Sequence, residues 1–183
     1  MARIAAPNLP GITALFAFRP ETGGALTQLA ETLLRGPSPL TSAERETIAA
    51  VVSRGNDCHF CSRSHAAAAA AHLGGDISSV NAACANVETA PLSEKMKALL
   101  QVALQVREGG KALTDDTVAR ARAAGVTDVE LHDTVLIAAA FCMFNRYVDG
   151  LQTFAPPNDA DYVEMGQMMA HKGYVRARDA FVG

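Results

Sequence analysis

Residues 40–75 read LTSAERETIAAVVSRGNDCHFCSRSHAAAAAAHLGG, and this stretch decides the fold class. Thr41 and Glu44 have capping-box spacing, in which a hydroxyl and a carboxylate satisfy unpaired N–H groups at a helix start. The helix they begin is predicted to reach about Arg54, where Gly55-Asn56-Asp57 breaks the pattern. Asn56 or Asp57 then suits the N-cap of a second helix beginning near Cys58. That helix contains six consecutive alanines, 66–71, and stops at Gly74-Gly75. Alanine is the strongest helix former, and its small side chain admits a neighbouring backbone closely.

Helix signals continue in both directions. Upstream, residues 25–35 place Leu26, Leu29, Ala30, Leu33 and Leu34 at helical spacing, ahead of Gly36-Pro37. Downstream, helices are expected over residues 77–86, 92–108 and 114–125. Thr127 and Glu130 repeat the capping-box spacing before a long helix to about Gly150, and a last helix is expected over residues 159–181. Residues 1–23 hold Pro7, Pro10, Pro20, Gly11, Gly23 and Gly24 and read as an irregular N-terminal arm whose apolar patch, residues 12–18, docks on the rest. No period-two alternation occurs. The chain is therefore read as all-α, a single-domain helical bundle of about eight helices over residues 1–183, with residues 156–183 as a C-terminal extension helix.

The composition fits one buried core. The chain has 183 residues, 49% hydrophobic and 19% charged, enough to fold without disulfide or metal staples. Sixteen basic residues against nineteen acidic ones, net −3, argue against nucleic acid as the main partner. The longest apolar run, residues 135–144, is about half a membrane span, and the N-terminus does not read as a signal peptide. A cytoplasmic location is expected, where four cysteines point to redox or metal chemistry rather than a structural framework.

The chemistry concentrates in Cys58-His59-Phe60-Cys61 and His65. At about 100° per residue, positions 58, 61 and 65 of a helix lie within an arc of roughly 60°, so two thiols and an imidazole share one face. Residues three apart also lie within disulfide reach. Cys58, in the first turn, benefits from the helix dipole; Cys61 has His65 at i+4, placed to take its proton. These arguments favour different thiols. Glu46 aligns with the small residues Ala49, Ala50 and Ser53 on its own helix, so it can point inward and orient the imidazole. Cys84 and Cys142 each stand alone in apolar segments and read as packing. The alternative is a zinc-stabilised or vestigial helical interaction module without catalytic activity, the zinc form using Cys58, Cys61 and His65 joined by Glu46 or His59. Structural zinc, however, usually draws on two separated knuckles, and no second C-x-x-C is present.

Glu46, Cys58, Cys61 and His65, with the lead-in over residues 40–58 and Phe144-Asn145-Arg146 on a late helix, resemble the alkyl hydroperoxidase D-like (AhpD-like), peroxidase-related proteins of the carboxymuconolactone decarboxylase superfamily. The resemblance implies an all-helical homo-oligomer, whether dimer, trimer or hexamer, and a thiol peroxidase. Cys61 would be the peroxidatic thiol, Cys58 the resolving one, and His65 with Glu46 the proton relay. The implied substrate is a hydroperoxide. The implied reductant is an external dithiol, thioredoxin-like or lipoyl-bearing, and no haem, flavin or metal is required. Phe60 stands where the well-studied alkyl hydroperoxidase D has a further histidine, implying a shorter relay. His59, Phe60, His132, Asn145 and Arg146 are candidate pocket residues, with Asn145 and Arg146 expected to be buried.

Overall fold

The computed structural model describes residues 2–175. Among these it holds nine α-helices, one short 3-10 turn and no strand: α1 (Ile12–Phe18), α2 (Pro20–Arg35), α3 (Ser42–Gly55), α4 (His59–His72), α5 (Ser78–Ala85), α6 (Glu94–Glu108), the turn Gly110–Ala112, α7 (Asp115–Ala123), α8 (Asp128–Leu151) and α9 (Asp159–Lys172). Both expected capping boxes form. The Thr41 N–H donates to Glu44 Oε2 at 2.8 Å while Thr41 Oγ1 accepts from the Glu44 N–H at 3.2 Å. Thr127 and Glu130 repeat the exchange at 2.8 and 3.3 Å. Ser93 and Thr114 cap α6 and α7 by accepting from backbone N–H groups three residues on.

Three expectations need correction. The arm is not irregular throughout, because α1 and the first turns of α2 occupy residues 12–18 and 20–24. Pro20 sits at the first position of α2, where its fixed φ suits a helix and its missing N–H costs nothing. Gly23 then lets the α1 backbone approach, since a Cβ there would lie 2.8 Å from Phe16 Cα. The start of α4 also differs: Cys58 is its N-cap, Asn56 closes α3, and Asp57 turns between them with φ 58°. Finally, α9 ends at Lys172, and Gly173 leaves it with φ 77°. The part of the expected helix beyond residue 175 lies outside the described residues.

Helix α3 is the axis of the bundle. Nine successive residues, from Arg45 to Ser53, are buried, so the helix is covered on every side. It packs against α4, α5, α6 and α8, while α4 is held between α3 and α9. Ile48, Val52, Leu99, Leu100, Ile137 and Phe141 fill the main core. Arg45 is buried because its guanidinium donates to the carbonyls of Leu33 (3.1 Å) and Gly36 (2.9 Å) at the end of α2. By length and composition α8 would also cross a bilayer. In this fold its Ile137, Ala138, Phe141, Phe144 and Val148 are buried inside the bundle, as in a core helix.

The alanine run sets the distance between α4 and α9. A Cβ on Gly166 of α9 would come within 2.5 Å of the Ala67 carbonyl carbon, so only glycine admits this approach. Gly166→Ala is expected to destabilise the protein by about 1–3 kcal/mol, against the roughly 1 kcal/mol that alanine ordinarily contributes to a helix. Urea unfolding measures the balance, and an unchanged or raised midpoint would contradict this packing.

Candidate active site

The corner between α3 and α4 positions the cysteine pair. The Cys58 N–H donates to the Ser53 carbonyl at 3.0 Å. Asn145 of α8 ties the corner from the other side: its Nδ2 donates to Ser53 Oγ at 3.0 Å and its Oδ1 accepts from Asn56 Nδ2 at 2.8 Å. Asn145 is buried, as expected, but it braces this corner rather than lining a pocket.

The two thiols are unbridged and buried, yet their surroundings differ. Cys58 packs with Phe60, Ala67, Val148 and Tyr162. Its thiol hydrogen-bonds to Cys61; that bond first, and burial second, push its pKa far above the ordinary thiol value, with a further bond to Asp149 acting the same way. The expected benefit from the helix dipole is therefore overridden, and Cys58 is held as a thiol. Burial raises the Asp149 carboxyl in turn, and the contact with Cys58 partly offsets this. Cys61 instead opens onto a cavity of about 280 Å³ that Cys58 does not line.

His65 lines the same cavity. Its Nδ1 lies 2.7 Å from Oε2 of Glu46, which is 0% exposed in the second turn of α3. With Nδ1 donating to this carboxylate, Nε2 is the ring nitrogen left to exchange a proton. The imidazole meets the edge of Phe141, with centroids 4.6 Å apart at 87°. Glu46 has a second partner that the sequence reading missed: Tyr174, whose hydroxyl donates to Oε1 at 2.5 Å. The expected helix ran straight through this position. The available signal was Gly173, a helix-stopping glycine just after a lysine-ended segment.

The cavity walls are mostly apolar. Phe60, Phe141 and Phe144 form one side, α9 contributes Met165, Met168 and Met169, and the N-terminal segment adds Pro10 and Ile12. Gly11, with φ 53°, lies flat on Phe60; a Cβ there would be 2.1 Å from the ring. The N-terminal segment thus closes over the residue between the two thiols.

Of the five candidate pocket residues, only Phe60 lines this cavity. His59 turns away, its side chain 68% exposed and 3.9 Å from Asp57, because one helical step rotates it about 100° from Phe60. His132 is also 68% exposed and pairs with its neighbour Asp133 at 3.1 Å. Arg146 is exposed against expectation, its guanidinium donating back to the Cys142 carbonyl at 2.9 Å; long cationic side chains reach water from an apolar helix in this way. Among the described residues, no three His, Cys, Asp or Glu side chains cluster as metal ligands. Glu46 is turned onto Nδ1 of His65 and His59 faces Asp57, so neither stands as the fourth ligand of the zinc arrangement. Burial raises Cys84 to about 11, consistent with an inert packing role.

Residues 20–105 match the carboxymuconolactone decarboxylase family. No curated protein matches the chain. Among solved structures, an uncharacterized peroxidase-related protein from Silicibacter sp. TM1040 is 28% identical with TM-score 0.75, over 84% of this chain and 78% of that one. An uncharacterized peroxidase-related protein from Ralstonia eutropha JMP134, described as an alkylhydroperoxidase AhpD core, is 23% identical with TM-score 0.76, over 87% and 82%. A protein of unknown function from Agrobacterium tumefaciens, proposed to be the antioxidant defence protein AhpD, is 22% identical with TM-score 0.68, over 86% and 100%. The latter two likenesses speak to the fold.

Asn145→Ala would leave Ser53 and Asn56 without their buried partner. It is expected to cost about 1–3 kcal/mol and to slow closure of a Cys58–Cys61 disulfide, followed by mass spectrometry under a mild oxidant. Closure at the wild-type rate would show that the corner holds its shape without Asn145.

Proposed function

We propose that this chain, whose residues 20–105 match the carboxymuconolactone decarboxylase family, is an AhpD-like thiol-dependent oxidoreductase that reduces hydroperoxides through Cys61 and Cys58. The observation that carries this reading is the Glu46–His65 contact at 2.7 Å, on an imidazole that shares one cavity with Cys61. His65 takes the Cys61 proton through Nε2, with Glu46 supporting the imidazolium that forms. The thiolate attacks the O–O bond of the hydroperoxide, leaving Cys61 as a sulfenic acid, and the departing alkoxide takes the proton from His65 as an alcohol. Cys58 then displaces the sulfenic hydroxyl, which leaves as water with the Cys58 proton, and a disulfide closes. An external dithiol reduces the bridge and becomes a disulfide itself.

The apolar walls favour a hydroperoxide carrying a hydrocarbon group over hydrogen peroxide. Thioredoxin-like and lipoyl-bearing dithiols both satisfy the electron balance, and the cavity favours a slender dithiol arm. The reading includes a cytoplasmic site of action, where dithiol reductants are maintained. It also includes self-association, supported by Val129, Leu136 and Met143, which are exposed seven residues apart along α8 and form one apolar stripe.

The test is hydroperoxide consumption with thioredoxin-type and lipoyl-type reductants beside the variants. Cys61→Ser is expected to abolish turnover, while Cys58→Ser permits one oxidation and then stalls as a trappable sulfenic acid on Cys61. Glu46→Gln is expected to lower turnover by about 10²-fold, within the usual range for general acid–base catalysis. Equal consumption by wild type and Cys61→Ser with every reductant would leave a helical interaction module without peroxidase activity. Sulfenic acid trapped on Cys58 in Cys61→Ser, with none on Cys61 in Cys58→Ser, would reverse the two roles.

A further inference from the structure

Glu46 uses both carboxylate oxygens. Oε2 meets Nδ1 of His65 at 2.7 Å and Oε1 accepts from the Tyr174 hydroxyl at 2.5 Å. The same hydroxyl is 3.5 Å from Nδ1 of His65, and the Tyr174 and His65 rings lie nearly parallel, 14° apart with centroids at 6.1 Å. Burial and the neighbouring Glu46 raise the phenol well above its usual range, so it remains a donor. We propose that Tyr174 is a positioning residue of the relay, one that holds the Glu46 carboxylate and draws charge from it so that His65 can release the proton it takes from Cys61.

A device of separate residues keeps Tyr174 in place. Gly173 carries the chain out of α9 with φ 77°, and a Cβ there would fall 2.5 Å from Glu31 Oε2. That same oxygen accepts the Tyr174 N–H at 2.7 Å. Glu31 Oε1 in turn accepts from Arg35 Nε at 3.1 Å, and the Arg35 guanidinium donates to the Met169 and Ala170 carbonyls at the end of α9. Thus α2 clamps the exit of α9 and aims the phenol at Glu46, about 130 residues away in sequence.

The proton balance explains what the hydroxyl contributes. A relay histidine must accept a proton from the thiol and then give it to the leaving alkoxide. A buried carboxylate with His65 as its sole partner would hold the imidazolium strongly and slow that release. A second donor stabilises the bare carboxylate more than the carboxylate already paired with imidazolium, and so weakens the pair as a base. Among the described residues, the other charged or titratable groups facing Glu46 or Tyr174 include Arg45 on α3, His72 on α4, and Glu31 with Arg35 on α2. Burial lowers His72 and so favours its neutral form. Glu31 and Arg35 neutralise each other, and Arg45 is spent on the α2 carbonyls.

Tyr174→Phe keeps the ring and removes the donor. Because the relay pair becomes a stronger base, the pH profile of Cys61 alkylation, read peptide by peptide with iodoacetamide, is expected to move towards acid by about one pH unit. Turnover at neutral pH is expected to fall in the same variant, because the proton is released more slowly. These opposite movements would not arise from a packing role. The inference rests on the His65–Glu46 relay assigned above, but alkylation involves no peroxide. Wild-type protein without peroxide turnover would end the peroxidase reading and leave the alkylation shift to be judged separately. If Tyr174→Phe does not fold, Tyr174→Leu, which also removes the donor while keeping an apolar side chain there, should move the profile in the same direction. A profile that coincides with wild type, or moves towards alkali, in the folded variant overturns the proposal.

Discussion

A carboxylate without solvent exposure, in the second turn of the helix that α2, α4, α5, α6 and α8 pack against, is the constraint around which the site is built. Removing Glu46 from water costs several kcal/mol unless its oxygens are paired. The fold supplies those partners from two elements, His65 on α4 and Tyr174 just beyond α9. The alanine run and Gly166 permit the close packing that brings α4 and α9 into register. The packing of α3, α4 and α9 and the pairing of Glu46 are therefore one requirement met twice.

The same arrangement separates two thiols that are three residues apart. Cys58 sits at the α3–α4 corner, donates to Cys61 and is held protonated by that bond and by burial. Cys61, one turn into α4, shares the cavity with His65. In the mechanism proposed above, a resolving thiol that remains protonated until its neighbour is oxidised does not compete for the peroxide, and the Asp149 contact gives Cys58 a polar partner outside the apolar cavity. Asn145 belongs to this arrangement although it does not touch the cavity, since it holds Ser53 and Asn56 around the corner from which Cys58 projects.

The apolar walls strengthen the contact between Glu46 and His65. Phe141 lies edge-on to His65, and the aromatic and methionine side chains keep bulk water from screening the Glu46–His65 contact. Electrostatic interactions of this kind are worth more in a poorly polar cavity than in water. Gly11 seals the side nearest Phe60 by letting backbone lie directly on the ring. The N-terminal segment thus joins the site as a wall.

The features legible in the sequence were those written within a few residues. Thr41 with Glu44, and Thr127 with Glu130, mark helix starts because a capping box is closed by local hydrogen bonds. Likewise, Cys61 and His65 share a face because helical geometry fixes an i+4 pair. Glu46 turned inward as its stripe of small neighbours implied. What tertiary structure alone decided was which thiol faces the cavity, that Asn145 braces a corner, and that His59, His132 and Arg146 lie outside the cavity. It also decided that the tyrosine after Gly173 completes the carboxylate's shell. Those outcomes depend on contacts between segments far apart in the chain, where one helical step or one glycine redirects a side chain, and no local spacing records where the distant partner will stand.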